Sequence, residues 1–407
     1  MFNEKKKFRF NPRSKDFLHN PYPTYEQMQL HYPAYRVANT LILTRYEDVF
    51  LALRNRQLAT TGIPLSLKNE FNKHLILLDE NNAQIITDIL LFQDGVTHQN
   101  HRKSMMKLLS GENLQQIEVI IKSEICKLIN RVRGSHSIDI IAETAHPLWF
   151  KVFSSWLKLD TNETEILYQQ SKNIRYLLDP SAITSEGLHQ LIEALNSLST
   201  LFHHNFAVNK ASETRSLFFT AVTAEQEEYS MMDYTIDAIT AFIGGGETTG
   251  ALIGSAVYYL SKLPDIQAEL RHEPMLIRNF IQEVMRLESP LQMTRRRVIA
   301  PMTINGVELK PDDNVLLCLG AANRDKSLFC DPALLSLERK NGGKQLGFGA
   351  GMHQCLGQQL AQKQAELLCL ALLEGFPVMH YAGEPSPCWQ ESSLILRALS
   401  SLPVRLQ

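Results

Sequence analysis

Apolar residues recur at helical spacing through four long stretches, 114–132, 231–263, 275–288 and 356–373, and the 3.6-residue period predicts a helix for each. Short extended runs predict strands. Residues 35–37 and 41–44 read as a hairpin, and 303–305 with 308–310 as a second one turning at Gly306-Val307. A further strand is expected over 315–319. The predicted class is mainly α with a smaller β portion. No fixed-period repeat, low-complexity tract or Gly/Ser linker divides the chain. One domain is therefore expected over residues 1–407, with a short basic tail at 1–14.

The stretch 238–260 is apolar enough to raise the question of a membrane span. Glu247 stands near its middle, and an ionised carboxylate at mid-bilayer costs about 2.5–3.5 kcal/mol. A helix buried in a soluble core fits better, and no membrane contact is expected. Lys5, Lys6, Lys7, Arg9 and Arg13 begin the chain without an apolar run behind them, which predicts a solvated tail rather than a signal segment. Formal net charge is −2, with no long block of one sign, so nothing asks for nucleic acid. The six cysteines form no C-x-x-C pair, which reads as free thiols in a reducing cytoplasm.

Cys355 stands apart from the other five. It lies in Gly347-Phe348-Gly349-Ala350-Gly351-Met352-His353-Gln354-Cys355-Leu356-Gly357, just before a run of helix formers. A cysteine at a helix N-terminus gains from the dipole and from backbone N–H groups, which favour thiolate. A phosphatase-like nucleophile would need an arginine soon afterwards, but Gln358, Gln359 and Lys363 follow. A zinc site using His353 and Cys355 has no second ligand pair. A buried structural thiol and a thiolate ligand to heme iron remain.

Gly244-Gly245-Gly246-Glu247-Thr248-Thr249 is the second unusual segment. Three glycines inside a helix cost about 1 kcal/mol each relative to alanine. That cost calls for a contact between helices, close packing on a flat ligand, or a local opening that Thr248 widens by bonding a carbonyl.

Together these segments resemble the cytochrome P450 superfamily. Phe348-x-x-Gly351-x-x-x-Cys355-x-Gly357 is similar to its heme-binding signature, and Glu247-Thr248 to the acid–alcohol pair of its long distal helix. Glu283-x-x-Arg286 with Arg339 resembles its structural brace. The likeness extends from Asn20-Pro21-Tyr22 to 402–406. Departures are Gly95-Val96 where two prolines are common, Lys326 where proline is usual, and Leu335-Ser336 ahead of Arg339.

The resemblance implies a cytochrome P450 fold and heme b, with Cys355 as iron ligand. Phe348, Gly351 and Gly357 would form the cofactor loop. His98 and Arg102, four apart on an expected helix 97–109, would meet the propionates with Arg296 and His353. Thr248 would hydrogen-bond the activated oxygen while Glu247 relays protons. The implied activity is O2-dependent monooxygenation, most simply hydroxylation, in secondary metabolism. Electrons would come from a separate ferredoxin or flavodoxin, docking where Arg102, Lys103, Lys107 and Lys344 present positive charge. The substrate would be a small molecule, free or tethered to a carrier protein, in a pocket drawn from 59–92, 165–206, 291–294 and 392–395, and the chain would act as a monomer. Rival readings are a peroxide-using heme-thiolate enzyme and a non-catalytic recruitment protein. Presence of both Glu247 and Thr248 argues against the first, and of Cys355 and Thr248 against the second.

Overall fold

The computed structural model describes residues 8–180, 183–224, 228–383 and 387–406. Lys5, Lys6 and Lys7 of the expected tail lie outside them, as do residues 181–182 of an expected pocket segment. The tail is less solvated than its charge suggests. Phe8 stacks on Tyr32 with ring centroids 4.7 Å apart, and Phe10 packs edge-on to Phe17.

The centre of the fold is the helix Met231–Lys262. It starts at a reciprocal cap in which Ser230 Oγ accepts from Asp233 N–H and the Asp233 carboxylate accepts from Ser230 N–H. It stops where Leu263 precedes Pro264, the first residue of the helix Pro264–His272. Four helices pack around it: Ser185–Ala211, His146–Leu157, Ile277–Leu287 and Gln358–Gly375. Small residues permit this crowding. A Cβ on Gly254 would lie 2.6 Å from Ile141 Cδ1, so a larger residue there would push the Ile141 side chain aside. The membrane question is answered in the same terms, since among the described residues no helix is long and apolar enough to cross a bilayer.

Two predicted helices start later than expected. Pro274–Leu276 forms a separate 3-10 turn before Ile277–Leu287, and Leu356 belongs to the loop before Gln358. The expected helix 97–109 begins earlier, as Gly95–Met106, and ends in a 3-10 turn, Lys107–Leu109.

The largest sheet has five strands in the order Ala34–Val37, Thr40–Leu43, Asn314–Leu317, Thr294–Val298, Leu58–Ala59. Its first pair is the predicted hairpin, with Ala34 opposite Leu43. The second hairpin pairs Met302–Ile304 with Val307–Leu309, and its turn is Asn305-Gly306, one residue earlier than expected. Both turn residues have positive φ, 50° and 75°, as a tight two-residue hairpin turn requires. The predicted strand 315–319 is Asn314–Leu317, because Leu319 begins a short helix. Alternation along Thr294–Val298 buries Arg296 and Val298 on one face and leaves Arg295 and Arg297 on the other.

Ile277–Leu287 carries the brace. Glu283 accepts from Arg286 through both oxygens, at 2.8 and 2.9 Å, and from Arg339 Nε at 2.8 Å. Arg286 also donates to the carbonyls of Asn323 and Pro332. The departures around Arg339 therefore leave its pairing intact. Burial opposes the charge of Glu283, but hydrogen bonds and charges from both arginines outweigh it and hold the carboxyl below its ordinary range. Glu283→Ala leaves two arginines short of their anion, and should cost about 3–5 kcal/mol in denaturant unfolding. The contribution of Glu283 is complete above the unfolded glutamate value of about 4.3 and is lost as pH falls through the depressed folded value. The wild-type and Glu283→Ala stabilities should therefore converge in acid and separate at neutral pH.

Candidate active site

The cysteine loop is set by its own backbone. Gly349 N–H donates to Leu346 O, and Cys355 N–H returns to Phe348 O, both at 2.8 Å. Gly349 and Gly351 have φ of 68° and 75°, conformations that L side chains rarely adopt. Gly351 is also held by a protein contact, since a Cβ would sit 2.9 Å from the Leu53 carbonyl oxygen. Phe348 is buried in the main core. These two residues, expected to touch cofactor, are accounted for by turn geometry and core packing.

Cys355 keeps accessible surface, although burial raises its pKa. A group that is both accessible and surrounded by protein lines an internal cleft. The Gly357 N–H and the Arg102 charge pull the pKa back but do not reverse the shift. The Gly357 N–H belongs to the N-terminal cap of the helix that starts at Gln358, so the helix end acts on the sulfur through that bond. A cation bound to sulfur would deprotonate it. Gly357 has nothing within 4 Å of a built Cβ, so its N–H meets the sulfur from an open side.

Arg102 acts on the sulfur, and His98, His353 and Arg296 group with it and with Asp94. His98 is 1% exposed, and its Nδ1 has no hydrogen-bond partner among the described residues. Burial, helped by the charges of His353 and Arg102, pushes its pKa down to about 4, so the ring is neutral near pH 7. Arg296 is 7% exposed and, among the described residues, donates to Thr294 Oγ1 and the Arg295 carbonyl alone. Burial pulls it down to about 10, opposed by the charge of Asp94. The neighbouring arginines are otherwise engaged, Arg295 with Gly62 O and Ser66 Oγ, and Arg297 with Asp312. Among the described residues, Arg296 is thus the one of the three consecutive arginines bonded only within 294–295. Arg102 is half-buried and interacts electrostatically with Cys355. It faces inward, whereas Lys103 and Lys344 are exposed and Lys107 is half-buried.

His353 is paired within the protein through one ring nitrogen. Its Nε2 pairs with Asp94 Oδ1 at 3.0 Å, and Asp94 also accepts from Thr60 N–H and Oγ1. The ring lies against His98, with centroids 4.2 Å apart. It ties the loop to Asp94 through Nε2 and packs on His98.

On the long helix, the three glycines divide their work. Gly245 and Gly246 meet the ring of Trp149, the first at 2.3 Å from a built Cβ, which is a contact between helices. Gly244 is exposed, with nothing within 4 Å of a built Cβ. No local opening occurs: the helix is continuous from Met231 to Lys262. Thr248 Oγ1 does bond back, donating to Gly244 O at 2.8 Å, so hydroxyl and open face share one side of the helix.

Glu247 points elsewhere. Its carboxylate lies 3.9 Å from Arg175, which also donates to Ser392 Oγ. Burial raises the pKa of Glu247 and Arg175 lowers it, with burial the larger effect. A cavity of about 20 Å³, lined by Phe150, Ser171, Arg175, Gly246 and Glu247, has room for one water. Sequence reasoning missed Arg175 and Asp94, which lie far along the chain from their partners and belong to no motif.

The residues fit a heme. A buried imidazole nitrogen without a partner and an arginine without a carboxylate suit two propionates, and an accessible sulfur suits the iron. Among the described residues no three His, Cys, Asp or Glu side chains come together to hold a metal ion, so the zinc reading has no site. A porphyrin brings its own four nitrogens.

An accessible cysteine sulfur in a glycine-framed loop, with the Arg102 charge acting on it, has the chemistry of a heme-thiolate protein. The family model described as Cytochrome P450 matches residues 67–400, and the chain belongs to that family. It is 28% identical over 381 residues to the "Putative cytochrome P450 133B2" of Xylella fastidiosa (strain 9a5c), covering 93% of this chain and 94% of the relative. It is 26% identical over 416 residues to the "Polyketide biosynthesis cytochrome P450 PksS" of Bacillus subtilis (strain 168), covering 98% and 99%. Among solved structures it is similar to "P450BioI in complex with hexadec-9Z-enoic acid ligated Acyl Carrier Protein", with TM-score 0.87, 25% identity and coverage of 96% and 99%. The protein is accordingly a cytochrome P450 monooxygenase with a heme cofactor.

Replacing Arg175 by leucine removes the charge that lowers the Glu247 pKa. The carboxyl should then take up its proton at higher pH than in wild type, read from its infrared band across a pH titration.

Proposed function

We propose that the whole chain works as one domain that hydroxylates an apolar chain presented on a carrier protein, using electrons from a separate ferredoxin or flavodoxin. The observation that carries the oxidative part is the accessible Cys355 sulfur between the Gly357 N–H and Arg102, with His98 and Arg296 unspent nearby. The carrier is supported by likeness to PksS and to P450BioI, whose printed descriptions name polyketide biosynthesis and a ligated acyl carrier protein. The same likeness supports secondary metabolism. All six cysteines are unpaired, which supports a cytoplasmic setting.

When bound, heme supplies dioxygen activation, with thiolate donating electron density toward the O–O bond. The chain supplies the remainder. Cys355 would hold the iron, and Arg102, Arg296, His98 and His353 would be the partners of the propionates. Glu247 draws protons from the small cavity shared with Arg175, and its raised pKa suits a group that must both gain and release them. Thr248 lies one residue on, its hydroxyl on the Gly244 face, where it can pass a proton to the reacting oxygen. Lys103 and Lys344 would receive an acidic electron donor.

Cys355→Ser should abolish the red-shifted Soret band of the ferrous–CO complex, and an unchanged band would reject the ligand assignment. Thr248→Ala should retain that band and substrate binding while electrons drain into peroxide. Coupling of reductant to product should fall roughly a hundredfold, the low end of the range usual for loss of one proton-transfer group. Delivery is tested by spin-state titration with a fatty acyl chain, free and carrier-bound. Tighter binding of the free acid would overturn the carrier.

A further inference from the structure

The helix Gly95–Met106 carries His98 and Arg102, yet of its side chains only His98 and Met105 are buried. A helix with so little apolar anchorage is not oriented by packing, so its rotation about its axis must be set by polar contacts. One of these comes from His101, which lies between the two propionate candidates in sequence. Its Nε2 is in close contact with Asp237 Oδ1, and its Nδ1 lies 2.8 Å from Gln93 Oε1. Asp237 is 3% exposed and lies on the long helix, ten residues before Glu247. Its second oxygen accepts from Tyr229 OH at 2.6 Å. Leu90 N–H, just ahead of Gln93, donates to Thr240 Oγ1 on that same helix. No step of the reaction uses any of these groups.

We propose that His101 and Asp237 are positioning residues. Their buried contact fixes the rotation and height of Gly95–Met106 against the long helix, and so aims His98 and Arg102 at the heme propionates. Adjacent helical residues stand about 100° apart, so no turn of the helix can release His101 and leave Arg102 in place. The long helix is the rigid reference, capped and buried along most of its length. The inference rests on the reading of His98 and Arg102 as propionate ligands.

The test is heme transfer from the holoenzyme to excess apomyoglobin, with the ferric/ferrous potential as a second readout. Asp237→Asn and His101→Phe should each lose heme about tenfold faster than wild type and shift the potential, while the ferrous–CO band stays red-shifted. Should either fail to fold, the pair His101→Phe with Asp237→Leu removes both polar groups and leaves no unpaired charge between them. It should melt near wild type and still lose heme faster. Wild-type retention and potential in these variants would overturn the proposal, provided that His98→Ala and Arg102→Ala lose heme. If those two also retain it fully, the propionate reading fails and the positioning role falls with it.

Discussion

As the proposed iron ligand, the sulfur of Cys355 would carry a negative charge in a place where burial favours the neutral thiol. Much of the structure is arranged around that conflict. One backbone N–H, from Gly357, and one guanidinium, from Arg102, face the sulfur, and together they reduce the penalty without removing it. The remaining stabilisation has to come from a bound cation, which couples thiolate formation to cofactor binding. The glycines of the loop hold the sulfur accessible through positive-φ turns, so the side most in need of a ligand stays open.

Buried charge recurs elsewhere as a fastening between distant segments. Glu283 joins Arg286 to Arg339. Glu288, the next residue beyond that helix, accepts from Arg397, Arg324, Tyr22 and Tyr259. It thereby ties the N-terminal segment to the loop at Asn323 and to the C-terminal loop. Such clusters are geometric devices more than sources of stability, since apolar replacements of equal volume often match them in energy. Their value here is that each holds segments brought together from across the chain, and the heme-side residues depend on those segments staying in register.

The long helix joins these features. Gly245, Gly246 and Gly254 let neighbouring helices approach it closely, and Gly244 leaves one face uncovered beside the Thr248 hydroxyl. Glu247, one residue earlier, turns to the opposite environment and meets Arg175. A single helical turn thus presents an alcohol to one space and an acid to another, which is the geometry a proton relay needs. A kink is unnecessary for it.

Features that depend on near neighbours were legible in the chain alone. Helical periodicity located the long helix to within a residue at its C-terminus, and alternation located the first hairpin. The glycine-framed cysteine and the acid–alcohol pair are local patterns whose chemistry follows from adjacency. The three-stranded sheet of Ser137–Asp139, Pro403–Leu406 and Met379–Tyr381 was not legible, because strands this short show too little alternation to mark. Nor were the pairings of Arg175 with Glu247, Asp94 with His353 and Asp237 with His101. A charged side chain does not encode which opposite charge it will meet, because that depends on how helices and loops far apart in the chain pack. Sequence determined which groups this protein has for its chemistry, and tertiary packing decided which are paired and which are left to bind a ligand.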